Sequence, residues 1–267
     1  MMIPNRINRM FTICSRCGVV MNTAYTEASY PDTYFTDEYR NQYGRTYEED
    51  FDALYQFSIG RVETINRVIN KYRIAVQSVC DIGCALGFFL KACIDRLETT
   101  KECRYDGVEA SSYAAAYCTG HYGVPVFNGL FSDYHPEKQF DLVTAWYCLE
   151  HMKDPVKAIG RIYSLLNTPG IVSFSLPSAY GPRRTFHPAE YFQAFPSDHS
   201  LDFTPSSVRL VLKAAGFSDI IIRPASIHPE RVLHADSPLY PFFAPAYSIF
   251  SRITGFSDTM EVFALKR

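Results

Sequence analysis

Val79-Cys80-Asp81-Ile82-Gly83-Cys84-Ala85-Leu86-Gly87-Phe88-Phe89-Leu90 decides the fold. A short apolar strand ends at Asp81, small residues make a turn, and an apolar helical segment begins. Small residues at 83, 85 and 87 let a ligand come close to the backbone. Asp81 sits at the strand end, beside the first exposed amides of the next helix.

Nucleotide-binding folds share this architecture, so the spacing has to discriminate. A pyrophosphate fingerprint needs Gly-x-Gly-x-x-Gly. Counted from Gly83, the third glycine would fall at Phe88, whose ring would crowd a phosphate. Asp-x-Gly-x-Ala-x-Gly fits a ligand without a phosphate, and Asp81 suits one with an ammonium group. S-adenosylmethionine has the ammonium and lacks the phosphate. The second strand ends at Glu109, 22 residues past Gly87. An acid at that place can accept both ribose hydroxyls. The plainer reading of Glu109 is a carboxylate capping the next helix.

Working outward, apolar strands alternate with helices. Strands are expected at 78–82, 105–109, 124–128, 140–145, 170–175, 218–223 and 260–266. Helices are expected at 88–97, 111–122, 155–166 and 205–215. Such alternation predicts an α/β fold, a mostly parallel seven-stranded sheet with helices on both faces. Residues 48–72 read as an amphipathic helix, with Phe51, Leu54, Tyr55, Ile59, Val62, Ile65, Val68 and Ile69 at helical spacing. Two parts are expected: an N-terminal segment 1–47, with Cys14-x-x-Cys17 and an aromatic cap, and a ligand-binding domain 48–267. In the cap, Tyr34 to Tyr47 carries rings around a flexible Gly44, which fits a cover that excludes water, with Tyr43 at the ligand.

With these motifs the chain resembles the class I, Rossmann-like methyltransferases that use S-adenosylmethionine, and within them the small-molecule group that includes quinone-biosynthesis enzymes. The segment Phe140–Pro155, with Leu149-Glu150-His151 followed by a Pro-led helix, supports the resemblance, as do Gly170–Pro177 and Phe203–Phe217. The resemblance implies that Asp81, Gly83, Ala85 and Gly87 wrap the methionine part, and that Glu109 holds the ribose. It places Ala110 on the adenine and Gly129 and Leu130 at the adenine edge. Trp146 and Tyr147 fall near the sulfonium. Ala85 replaces the commoner middle glycine. Some relatives carry Glu three residues before the Glu-His pair and can bind a metal there. Tyr147 stands at that place, so no catalytic metal is expected.

Methyl transfer needs positioning and water exclusion, and needs a base only where the acceptor must lose a proton. His151 is the best base by position. The alternative is a histidine that bonds the backbone and fixes its loop. His199 is the second candidate, within a long span from Ser178 to Asp202 that also holds His187 and Tyr191. Connections of that length often serve as lids or binding loops. The apolar run Leu239–Phe250 reads as packing over the sheet edge or a homodimer contact, with an apolar acceptor wall or a membrane-surface contact as the sharper alternative. Cys14-x-x-Cys17-Gly18 resembles one knuckle of a zinc ribbon, a remnant of an N-terminal zinc-binding module found in some relatives; two unrelated thiols explain it equally well.

A net charge of -2 without a Lys/Arg run argues against a nucleic-acid partner. No stretch approaches a spanning helix, so stable membrane insertion is not expected. Scattered cysteines and the lack of a secretory signal suggest a cytoplasmic protein. The expected function is methyl transfer to a small-molecule, glycan or lipid-precursor acceptor. The alternatives are a non-catalytic S-adenosylmethionine-binding protein and a nicotinamide-dependent oxidoreductase or epimerase.

Overall fold

A computed structural model describes residues 1–26, 33–99 and 102–267; of Gln42 and Tyr43 it describes the backbone alone. In chain order the strands are β1 Met2–Pro4, β2 Phe11–Cys14, β3 Val20–Asn22, β4 Ser78–Ile82, β5 Arg104–Glu109, β6 Val126–Asn128, β7 Phe140–Trp146, β8 Leu166–Pro177, β9 Leu201–Asp202, β10 Ser218–Pro224 and β11 Thr259–Lys266. The helices are α1 Tyr39–Tyr43, α2 Phe51–Tyr72, α3 Phe88–Arg96, α4 Ser112–Tyr122, α5 Pro155–Leu165, α6 Pro182–Phe186, α7 Pro188–Gln193, α8 Pro205–Ala215 and α9 Tyr240–Thr254. A seven-stranded sheet has the order β10-β11-β8-β7-β4-β5-β6. Strand β4 pairs in parallel with β5 and β7, and β5 in parallel with β6. This is the expected Rossmann-like arrangement, with β4 flanked by β7 and β5.

Two compact units divide the chain. One holds Ser29–Trp146, Arg161–Ser173 and Leu265–Arg267. Its strand β4 is buried at every position, as a parallel strand covered on both faces must be. Helix α2 buries Val62, Ile65, Val68 and Ile69. Their spacing makes one apolar stripe along the second half of the helix. The helix stops at Arg73, whose left-handed φ of 55° lets its amide reach Ile69 O. A second cluster joins Phe35, Leu86, Phe88 and Ala114, with Tyr34, Tyr47 and Phe51 around it.

The other unit holds Met1–Ala28, Tyr147–Gly160 and Phe174–Ala264. A small four-stranded sheet, β1-β2-β3-β9, lies within it. Strand β3 pairs antiparallel with β9, Val20 opposite Asp202. Phe11, Val20, Ala179 and Phe192 form the core beneath. Helix α8 is framed by local signals: Thr204 caps it in a reciprocal capping box with Ser207, Pro205 opens it, and Gly216 closes it in the left-handed region. The expected boundary at residue 47 falls inside the unit that begins at Ser29. The span from Ser178 to Asp202 is built of α6, α7 and β9. Among the described residues no helix is long and apolar enough to cross a membrane.

Candidate functional site

The β4–α3 turn bends three times through left-handed backbone: Gly83 at φ 70°, Ala85 at 50° and Gly87 at 83°. Ala85 is the one side-chain-bearing residue of the three, and its conformation explains why glycine is commoner there. The Gly83 and Cys84 amides both donate to Val108 O, at 2.8 and 3.1 Å, which ties the turn to β5. Gly87 is required for packing as well as for its angle. A Cβ there would come within 2.3 Å of Cys118 Sγ on α4.

Glu109, at the end of β5, is buried. Its Oε2 accepts the Ala85 amide at 2.9 Å and its Oε1 the Ser111 amide at 2.9 Å. The carboxylate thus both fixes the turn and caps the start of α4, from a buried position and not from the surface. Each oxygen keeps a second lone pair for a ligand hydroxyl. Burial raises its pKa, opposed by the amide bonds. Asn128 Nδ2 donates to Glu109 O and Ala110 O, both at 3.1 Å, and the Gly129 amide donates to Glu109 O at 2.9 Å. Ala110 and Gly129 are thereby drawn to the turn, and Leu130 beside them is exposed.

Asp81 is 1% exposed. Its Oδ1 accepts from Thr144 Oγ1 at 2.6 Å. Burial pushes its pKa up to about 7, against the Thr144 bond and the charge of Arg61. Arg61, on α2, is a residue the sequence reading missed. It is buried, with its guanidinium 4.3 Å from the Phe57 ring and 4.2 Å from the Trp146 ring. Trp146 also meets Phe89 at 5.0 Å. A guanidinium, Arg61, and a carboxyl group, Asp81, therefore lie within this one unit. That charge pattern fits a zwitterionic amino-acid group.

Phe88 stands where a pyrophosphate fingerprint would place its third glycine. Phe88 opens α3, stacks on Tyr47 at 5.4 Å and meets Phe51 edge-on at 4.9 Å. Tyr47 in turn meets Phe35 at 5.2 Å, and its amide donates to Phe35 O at 3.0 Å. The aromatic cap of the sequence reading packs directly against residues 85–88. The side chain of Tyr43 lies outside the described residues, as do Tyr30 and Pro31.

The other unit carries a separate polar cluster. The turn Leu149–His151 places His151 Nδ1 3.0 Å from Asp198 Oδ2. The His151 and His199 rings meet edge to face at 4.7 Å. His199 Nδ1 is 3.6 Å from Asp202 Oδ1, and Tyr191 Oη donates to Asp202 Oδ2 at 2.6 Å. Asp198 sits below the usual carboxylate range, chiefly through its bond to His151. Glu150 is 1% exposed, and burial pushes its pKa up to about 7. The Ser200 amide and hydroxyl donate to Glu150 O at 2.8 and 3.1 Å, and Tyr25 Oη donates to His151 O at 2.7 Å. Ligand atoms of Glu150, His151 and His199 all lie within 4.8 Å of one another, so these three residues are able to hold a metal ion. Tyr147 begins this segment at a strained φ of 49°, its amide donating to Ser175 O at 3.2 Å.

Cys14 and Cys17 occupy a tight turn in which the Gly18 amide donates to Cys14 O at 2.8 Å. Bonds from the backbone of Cys17 and Arg16 lower the Cys14 pKa to about 7. Among the described residues no third metal-ligating side chain joins the pair.

Comparison with known proteins fits this geometry. A family model described as a methyltransferase domain matches residues 54–221, more than half of the chain. The chain belongs to this methyltransferase family. It is a class I methyltransferase, with S-adenosylmethionine as its methyl donor. Membership decides against the nicotinamide-dependent alternative. A methyltransferase from Archaeoglobus fulgidus is similar in structure, with 18% identity, coverage of 77% of this chain and 94% of that one, and a TM-score of 0.53. The plantazolicin methyltransferase BamL, solved with a desmethylplantazolicin analogue and S-adenosylhomocysteine, has 12% identity, coverage of 88% and 93%, and a TM-score of 0.58. A methyltransferase from Thermotoga maritima has 16% identity, coverage of 88% and 100%, and a TM-score of 0.56. At these identities the likeness is one of fold. No curated protein matches the chain.

Proposed function

We propose that this methyltransferase acts on a hydroxyl or amine of a small-molecule, glycan or lipid-precursor acceptor, with His151 as general base and Asp198 as its orienting partner. The observation that carries the proposal is the 3.0 Å contact between His151 Nδ1 and Asp198 Oδ2. A carboxylate at Nδ1 holds the proton there and leaves Nε2 as the basic nitrogen of the neutral ring. That nitrogen takes the acceptor proton as the new bond to the methyl carbon forms and the bond from methyl to sulfur breaks. The carboxylate then stabilises the charged imidazolium.

S-adenosylmethionine supplies the electrophilic methyl group. On this reading Gly83, Ala85 and Gly87 shape the turn around its methionine part. Asp81 faces the ammonium and Arg61 the carboxylate. Glu109 accepts the ribose hydroxyls. Ala110, Gly129 and Leu130 border the adenine, and Trp146 and Tyr147 lie by the sulfonium. His199 steadies the His151 ring.

The test is transfer of tritiated methyl from labelled S-adenosylmethionine into a cell extract, followed by fractionation of the product. Label in a low-mass or lipid-soluble product, lost with His151→Ala, supports the proposal. Label confined to protein or nucleic acid contradicts the acceptor class.

A further inference from the structure

Helix α9 has two apolar faces, and only one is used. Tyr247 and Ser251 are buried, with Phe243, Ala244 and Ser248 half-buried beside them. That face accounts for the packing expected from the sequence. On the opposite face Phe242, Ile249, Phe250 and Ile253 are exposed, Phe242 at 80% and Ile253 at 79%. Spacings of seven, one and three residues put all four on one stripe, roughly 16 Å long at 1.5 Å per residue. Scattered exposed apolar residues are ordinary, whereas a contiguous stripe of aromatic and branched side chains marks an interaction surface.

The charge beside the stripe says what covers it. Gly255, just past α9, approaches Pro205 at the start of α8, 3.4 Å from an ideal Cβ. There an open groove of about 500 Å³ is lined by Arg16, Arg209, Lys213, Leu210 and the last residue of α9, Thr254. No acidic residue lines the groove, and none occurs in α9, whose one charge is Arg252. Among the described residues neither Arg16 nor Lys213 pairs with a carboxylate. A protein surface as partner would need acids matched to this groove and an apolar slot matched to the helix. An anionic lipid surface supplies both at once, acyl chains for the stripe and phosphates for the cations.

We infer that α9 and the Arg16–Arg209–Lys213 groove dock this protein on the surface of an anionic membrane, with the stripe lying in the headgroup region. The helix rests in the interface and does not span it. The inference is independent of the acceptor and of the roles of His151 and Asp198.

Co-sedimentation of the full chain with vesicles tests it. Phosphatidylcholine vesicles containing phosphatidylglycerol should bind the protein, and phosphatidylcholine alone should bind it far less. Two surface variants separate the parts: Phe242→Ser with Ile253→Ser, and Arg16→Glu with Lys213→Glu. Each should lower vesicle affinity by about tenfold or more. High salt should weaken binding of the parent chain. S-adenosylhomocysteine affinity and thermal unfolding should stay as in the parent chain, which establishes that the variants fold. Failure of the parent chain to bind anionic vesicles would overturn the inference, as would binding by both variants equal to that of the parent chain. So would a dimer, seen by analytical ultracentrifugation, that Phe242→Ser with Ile253→Ser dissociates; that result would give the stripe to a second copy of the chain.

Discussion

His151 and Asp198 are 47 positions apart in the chain and meet at 3.0 Å between Nδ1 and Oδ2. A histidine alone in a loop bonds water or backbone. A histidine with a carboxylate on one ring nitrogen is set up to take a proton on the other. If this pair is the base, His151→Ala should lower kcat by about 100-fold or more while S-adenosylhomocysteine affinity is kept. Asp198→Asn should lower kcat by a smaller factor. Steady-state kinetics across pH 5–9 checks both. Equal loss of cofactor affinity in the two variants would show a structural role instead.

Asp81 gives cofactor binding a pH dependence. Burial pushes its pKa up to about 7, so a large part of it is protonated at neutral pH. The ligand ammonium is attracted by the ionised form alone. Affinity should therefore fall as pH falls through 7, by about tenfold between pH 8 and pH 6. In Asp81→Asn binding should be weaker and flat across that range. Calorimetry with S-adenosylhomocysteine at several pH values measures the slope, and a pH-independent parent affinity would contradict the assignment.

Chelation separates the two chemical uses of the polar cluster. With His151 acting as a base beside Asp198, EDTA should leave the rate unchanged. Glu150, His151 and His199 are near enough to bind one ion, with ligand atoms within 4.8 Å. Activity lost to EDTA and restored by magnesium or manganese would make those three residues ligands and remove His151 from the base role.

The aromatic cap packs on the turn proposed to hold the cofactor, through Tyr47 on Phe88 and Phe35 on Tyr47. A cover so placed should be steadied by ligand. Proteolytic cleavage within residues 34–47 should slow severalfold when S-adenosylhomocysteine is added, and Tyr47→Ala should weaken binding. Equal cleavage with and without ligand would leave a fixed aromatic patch with no covering role.

The fold was legible where local chemistry repeats it. Thr204, Pro205 and Gly216 announce both ends of α8, which runs from 205 to 215 as expected. Asp81 through Leu90 announces a strand, a turn and a helix, and all three are found. Strand β8 begins four residues before the expected start, because Pro169-Gly170 signals a turn while the strand starts at Leu166, and it runs two residues past the expected end. The small sheet was missed. Its strands are two to four residues long, too short to show alternation, and β3 meets β9 across 180 positions of chain.

In the candidate site, residues with a local signature are singled out by the sequence and residues with a distant partner are not. The spacing to Gly87 singles out Glu109, and the fold places it at the end of β5 against the turn. Nothing in the sequence pairs Asp198 with His151, or places Arg61 between Phe57 and Trp146. Gly87 was read as making room for ligand, and Cys118 adds a packing demand that only the folded chain reveals. Helix α9 is apolar around most of its circumference, so periodicity alone was unable to say which face is buried.

On the proposed reading the Asp81–Gly87 turn and Glu109 hold S-adenosylmethionine. The most direct measurement is calorimetry with S-adenosylhomocysteine and with NAD on the parent chain, Gly83→Val and Glu109→Ala. S-adenosylhomocysteine should bind and NAD should not. Binding should be lost in Gly83→Val and weakened by about 1–3 kcal/mol in Glu109→Ala through the lost ribose bonds. Unchanged S-adenosylhomocysteine affinity in both folded variants, or binding of NAD in its place, would overturn this assignment.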